Sequence, residues 1–180
     1  MPRKSLDRRM FLTSLGVSTL ALGSMGVASA RSPDKRSLSF EHTHTGESLS
    51  VVYFREGSYE ATGLERINHL LRDFRTEEVH EIDPRTLDIL FDLQVLADRD
   101  GPFQVISGYR SPQTNAALRG RSSGVAEHSL HMQGRAIDVR LGGFSTRRLH
   151  ELARQMGKGG VGFYPRSDFV HLDNGPVRFW

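Results

Sequence analysis

The stretch Ser129-Leu130-His131-Met132-Gln133-Gly134-Arg135-Ala136-Ile137-Asp138 changes character at Gly134. Before the glycine it is polar and loop-like. After it, Ala136–Leu141 alternates, with Ile137, Val139 and Leu141 on one face and Ala136, Asp138 and Arg140 on the other, as a strand requires. Asp138 therefore sits in mid-strand. A carboxylate there must be solvated, paired or bound to a metal, because burying it alone is costly. His131 lies seven residues earlier, and Gly134 lets the chain bend so that the two side chains converge. Neutral imidazole and carboxylate are good ligands for a catalytic zinc ion. The spacing alone equally fits a loop histidine and a paired aspartate.

Further along, Phe169–Asp173 reads as a short strand, and His171 shares a face with Phe169 and Asp173. Two imidazoles (His131, His171) and one carboxylate (Asp138) would leave a fourth position open, as in hydrolytic zinc sites. Upstream, Ser107-Gly108-Tyr109-Arg110-Ser111 follows the apolar strand Phe103–Ile106 and precedes a helix opened by Ser111-Pro112. Arg110 thus falls at a strand end, a usual place for functional residues. Its guanidinium can bind a substrate carbonyl or a tetrahedral oxyanion, or pair with a surface carboxylate. Tyr109, Ser129 and Arg135 are the candidate substrate contacts; packing and turn formation are the competing readings for the first two. His42, His44, His69, His80, His128 and His150 read as ordinary histidines. Phe163, Tyr164 and Trp180 read as core and rim.

The rest of the chain supplies helices first and sheet later. Leu38–His42 and Leu49–Phe54 alternate as strands around a turn at Thr43–Ser48. Leu64, Ile67, Leu70, Leu71 and Phe74 predict a helix over 64–74 by their spacing. Asp83-Pro84 caps and starts another, carrying Leu87, Ile89, Leu90, Leu93, Leu96 and Ala97 and broken by Asp100-Gly101-Pro102. Thr146–Met156 is a fourth helix, and Val161–Tyr164 a strand. The expected fold class is α+β: a small antiparallel sheet carrying the metal site, packed against several helices.

The N-terminus changes the charge. Residues 1–30 hold Arg3, Lys4, Arg8 and Arg9, then an apolar run from Met10 to Val27, then Ala28-Ser29-Ala30. That is the pattern of a cleaved secretory signal, and Arg8-Arg9 makes it a twin-arginine signal. The competing reading is a membrane anchor. The whole chain carries Lys+Arg 24 and Asp+Glu 21. Removing four basic residues and Asp7 leaves 20 of each sign, so a nucleic-acid partner has no electrostatic support. Residues 31–37 look like a flexible lead, and 38–180 like a single domain. There are no cysteines, so stability rests on packing and metal, without disulfides.

Three motifs together, S-x-H-x-x-G-x-A-x-D, the strand histidine and S-G-Y-R-S, resemble the D-alanyl-D-alanine-peptidase-like zinc peptidases, which share a core site with lysostaphin-type enzymes and hedgehog. The twin-arginine signal, H-T-G-E-S, G-V-G-F-Y-P-R-S-x-F-V-H-L-D and the terminal G-P-V-R-F-W resemble the murein endopeptidase K family more closely. The resemblance implies Zn²⁺ held by His131, Asp138 and His171, and a transition-state role for Arg110. It also implies stem-peptide cross-links of peptidoglycan as substrate; with the cleaved signal, the expectation is a periplasmic enzyme without a stable membrane anchor, and a monomer by default. The alternatives are a D,D- or L,D-carboxypeptidase trimming stem peptides, or a non-catalytic peptidoglycan-binding module. Related enzymes place a glutamate base three residues before the last ligand. Here Asp168 stands there, and on a regular strand it faces away from His171. Asp173 shares the face of His171. The base is Asp168 if the strand bulges and Asp173 if it is regular, or Asp173 instead orients a ligand imidazole.

Overall fold

The computed structural model describes residues 34–122 and 124–180; the expected signal at 1–30 lies outside them. The strands are β1 Lys35–His42, β2 Ser48–Arg55, β3 Ser58–Tyr59, β4 Phe103–Ser107, β5 Ala136–Leu141, β6 Gly160–Tyr164, β7 Phe169–Asp173 and β8 Arg178–Phe179. The helices are α1 Ala61–Leu70, α2 Pro84–Leu96, α3 Pro112–Arg119 and α4 Thr146–Met156. The class is α+β, as the sequence implies. Among the described residues no helix is long and apolar enough to cross a membrane.

The sheet is larger than expected and mixed. Its order is β3-β2-β1-β4-β5-β7-β6-β8. β1 runs parallel to β4, and β6 parallel to β8; the other pairs are antiparallel. β3 and β8 are two-residue edge strands, too short to show a period. β1 opens at Lys35, inside the stretch expected to be a flexible lead. Its polar start is held by main-chain pairing to β2 and by Arg36, which pairs with Asp88 and lies over the Phe54 ring.

Helix starts follow the local chemistry. Asp83 accepts from the Arg85 N–H with Pro84 in the first turn of α2, and Ser111 accepts from the Thr114 N–H ahead of Pro112 in α3. α1 stops at Leu70, short of the predicted Phe74. The chain turns there because the Leu71 carbonyl is taken by the Tyr109 N–H and Asp73 closes a turn back to Glu77 and Glu78. Leu87, Leu90 and Leu93 of α2, Ile67 of α1 and Leu149 of α4 bury completely in one core with Phe40, Phe103, Val105, Val139 and Val170 of the strands. On β5 and β7 this leaves Asp138 and His171 on the face opposite Val139 and Val170.

Candidate metal centre

The site is assembled by sheet register. Asp138 on β5 lies directly opposite His171 on β7, so their side chains emerge side by side. His131 comes from a 3-10 turn, Leu130–Gln133, that leads into β5. Ser129 caps this turn by accepting from the His131 N–H at 3.4 Å. Gly134 ends it with φ +63°, and a Cβ there would lie 2.0 Å from the Glu81 carbonyl oxygen. Only glycine allows both the left-handed turn and that close approach. His131 is thereby returned to the strand it precedes.

The three side chains meet. His171 Nδ1 is 2.9 Å from Asp138 Oδ1, His131 Nε2 is 3.3 Å from the same oxygen, and the two ring nitrogens are 3.2 Å apart. All three residues are buried. Each imidazole is fixed from behind. His131 Nδ1–H donates to the Gly108 carbonyl at 2.7 Å, which makes its Nε2 an acceptor. His171 Nε2–H donates to Asp173 Oδ2 at 2.9 Å, which turns Nδ1 inward. These hydrogen positions follow from the partners. An imidazole lone pair and carboxylate oxygens facing one another need a cation between them, so the donor set fits a metal, and these are the tied-back histidines usual in such sites.

The electrostatics agree. Burial would raise the Asp138 carboxyl, but His131 and His171 hold it far below the usual range. Burial pushes His131 down, toward the neutral form. Burial would also lower His171, but hydrogen bonds to Asp138 and Asp173 push it up to about 9. A metal entering the site must therefore displace a proton from His171. Zinc uptake by chelated protein is expected to release about one proton per ion at pH 7–8 and to tighten about tenfold per pH unit toward pH 9. In Asp173→Asn the second carboxylate charge is gone, the His171 pKa falls, and proton release over this range should shrink. Calorimetry in two buffers of different ionisation enthalpy measures it; equal release by both proteins would contradict the assignment.

Arg110 stands beside the cluster. Its Nη2 donates to Asp138 Oδ2 and to Ser107 Oγ, both at 3.2 Å, while its buried Nε has no partner. Burial pushes the guanidinium pKa down, and Asp138 offsets part of this. The loop bearing Arg110 is clamped to the segment after α1. Leu71 O accepts from Tyr109 N–H at 2.8 Å, Asp73 Oδ2 accepts from Ser111 N–H at 2.8 Å, and a Cβ on Gly108 would lie 2.5 Å from Leu71 O.

The other expected residues fall elsewhere. Tyr109 turns away from the cluster, donating to Glu78 and stacking on His80. Arg135 donates to Asn174 at 2.8 Å, outside the cleft. Asp168 is in left-handed backbone, φ +51°, with an exposed side chain beside Arg140. β7 pairs regularly with both neighbours, so Asp173 shares the face of His171. Yet it lies behind the ring and is fully buried. Its Oδ1 accepts from the Gly160 and Gly175 N–H groups and from Arg178; its Oδ2 accepts from His171 and Arg178. Five donors saturate it. Burial would raise this carboxyl, but His171 and Gly175 hold it at about 2. A general-base role for either aspartate has no geometric support: one is spent on orienting His171, and the other lies off the cleft.

A cleft of about 390 Å³ opens over the cluster, lined by Arg110, His128, Ser129, Tyr164, Phe169 and Trp180 among others. Trp180 was not legible as a cleft residue, because its place depends on pairing β8 to β6, which no spacing shows; Tyr164 and Phe169 reach the cleft by facing each other across β6 and β7.

A buried His/Asp/His cluster on an α+β sheet, with an arginine beside it and a cleft over it, fits the metallopeptidase class, and the chain's relatives show that class for it. The peptidase family M15 model described as peptidoglycan L,D-endopeptidase MepK matches residues 30–180. Peptidoglycan L,D-endopeptidase MepK of Escherichia coli (strain K12) is 41% identical over 182 residues, covering 100% of both chains. A Haemophilus influenzae protein named probable peptidoglycan L,D-endopeptidase MepK is 39% identical over 168 residues, covering 93% of this chain and 89% of its own. The chain belongs to this family.

Proposed function

We propose that the chain is a zinc-dependent murein endopeptidase that hydrolyses peptide cross-links between stem peptides. The observation carrying this is the convergence of His131 Nε2, His171 Nδ1 and Asp138 Oδ1 at the floor of a cleft. Zinc held there would supply a Lewis acid that polarises the scissile carbonyl and acidifies water. Arg110, buried next to Asp138, aims positive charge at the oxygen on which negative charge develops. Gly108 O and Asp173 keep the two imidazoles in the ligating tautomers. Ser129 shapes the turn carrying His131. The names of the relatives favour a bond from an L-centre to a D-centre, as between two diaminopimelate residues.

Peptidoglycan lies outside the cytoplasmic membrane, so the reading places the protein in the periplasm. Arg8-Arg9 and Ala28-Ser29-Ala30 support export through the twin-arginine machinery followed by cleavage, leaving a monomer without an anchor.

The test is digestion of purified muropeptide dimers by residues 31–180, with zinc and with a chelator, read by mass. Zinc-dependent conversion of dimers to monomers is expected. Monomers that instead lose terminal alanine would make it a carboxypeptidase. Intact dimers from folded, zinc-loaded protein would leave a non-catalytic binding module.

A further inference from the structure

Trp180 is the sole tryptophan of the sequence, and the β8 pairing delivers its indole to the cleft wall beside His171. Its main chain is tied to β6 in both directions. Trp180 N–H donates to Val161 O at 3.2 Å, and Phe163 N–H donates to Trp180 O at 3.0 Å. The ring sits over Gly162, the residue paired with His171 across β6 and β7. A Cβ at Gly162 would lie 2.5 Å from indole Cε2, so a side chain there would evict the ring. Indole Nε1–H donates to the Tyr164 hydroxyl at 2.9 Å. The Arg178 guanidinium lies 5.2 Å from the indole centroid, and the His171 ring centroid is also 5.2 Å away.

Backbone, ring nitrogen, Arg178 and the Gly162 floor together fix this side chain. Its rotamer freedom is spent before any substrate arrives, which is how a preorganised contact gains affinity. Even so the residue is 49% exposed. A rigid aromatic surface left in water beside a metal-ligand histidine is a recognition feature, because covering it recovers the apolar burial that the free protein forgoes. The cleft pairs the charged and polar groups of Arg110, His128 and Arg178 with an apolar side to which Trp180 and Phe169 contribute beside Val125 and Leu130.

We propose that Trp180 is a specificity-determining residue that packs against the aliphatic part of the substrate residue flanking the scissile bond. The inference rests on the endopeptidase reading above. The matching chemistry is a diamino-acid side chain, whose methylenes suit an indole face while its charged head reaches the polar lining.

Two measurements test it. Zinc-loaded wild type is titrated with the monomeric muropeptide that cleavage yields, while indole emission and its quenching by acrylamide are followed. A blue shift and a several-fold fall in quenching are expected, and with excitation beyond tyrosine absorption the emission reports on Trp180 alone. On dimers, Trp180→Ala is expected to raise KM about 10–100-fold, with kcat changing much less, and Trp180→Phe to restore most of the loss. Unchanged emission while calorimetry registers binding would overturn the proposal. So would an unchanged KM in zinc-replete Trp180→Ala. Should that variant not fold, the wild-type titration decides alone. Wild type that cleaves no dimer at all defeats the endopeptidase reading instead.

Discussion

His131→Ala is expected to lose zinc and, with it, all detectable cleavage of cross-linked dimers. His131 is buried, its Nε2 aims at Asp138 and His171, and its other nitrogen is tied to Gly108. No described neighbour stands ready to replace it: His128 is exposed at the cleft rim. Structural zinc in small peptides binds with apparent free energies of roughly 10–16 kcal/mol spread over four ligands; by that scale one lost ligand weakens binding on the order of a thousandfold. The fold should survive. The variant leaves one buried carbonyl without its donor, a cost of about 1–3 kcal/mol, against a core formed mainly on the other face of the sheet. Metal analysis, circular dichroism and dimer digestion on one preparation check all three points. Stoichiometric zinc together with near-normal cleavage would remove His131 from the ligand set.

Arg110→Ala is expected to do the opposite on metal and the same on rate. The three ligands remain, and removing a positive charge beside Asp138 favours the cation, so zinc content should hold. The rate should fall about 10²–10³-fold, the usual cost of deleting one preorganised donor to a developing oxyanion. Arg110→Lys should recover little. The guanidinium reaches Asp138 and Ser107 through one nitrogen while its Nε stays unpartnered, and the point charge of an ammonium, with all its donors on one nitrogen, cannot reproduce that planar fork with its spaced donors. Steady-state kinetics with zinc content measured in parallel decide the matter. A variant with full zinc and near-normal kcat would reduce Arg110 to a partner of Asp138.

Much of this was legible in the sequence. The alternation of Ala136–Leu141 places Asp138 on its own face of a strand, and Gly134 marks the bend that returns His131 to it. The ends of α2 and α3 were readable because Asp83-Pro84 and Ser111-Pro112 are local signals. What escaped depends on distant pairing. The parallel contact of β1 with β4 joins residues some sixty positions apart, and no local period encodes it. The fate of Asp173 was open because a strand face tells which side a carboxylate takes, not which donors it meets; those come from Gly160, Gly175 and Arg178. Tyr109 sits next to Arg110 in sequence, and Arg135 between His131 and Asp138, but their side chains bond Glu78 and Asn174 away from the cluster. Helix α1 ends early because the Leu71 carbonyl just beyond it is taken by the Arg110 loop and Asp73 turns the chain, a tertiary demand that overrides helical spacing.

The direct pairing of Asp138 with His171 also bears on how the chain finds its fold. A slip of one residue between β5 and β7 would set Ile137 or Val139 in place of the carboxylate and send charge into the helix-covered core. Such a misaligned chain could still be compact and rich in secondary structure, but it would have no place for the ion. Metal capture at this candidate site would thus act as a proofreading step on strand alignment, because only correctly zipped molecules present all three ligands together. Under the zinc reading, the zinc bound per chain at saturation after refolding would count the correctly aligned sheets.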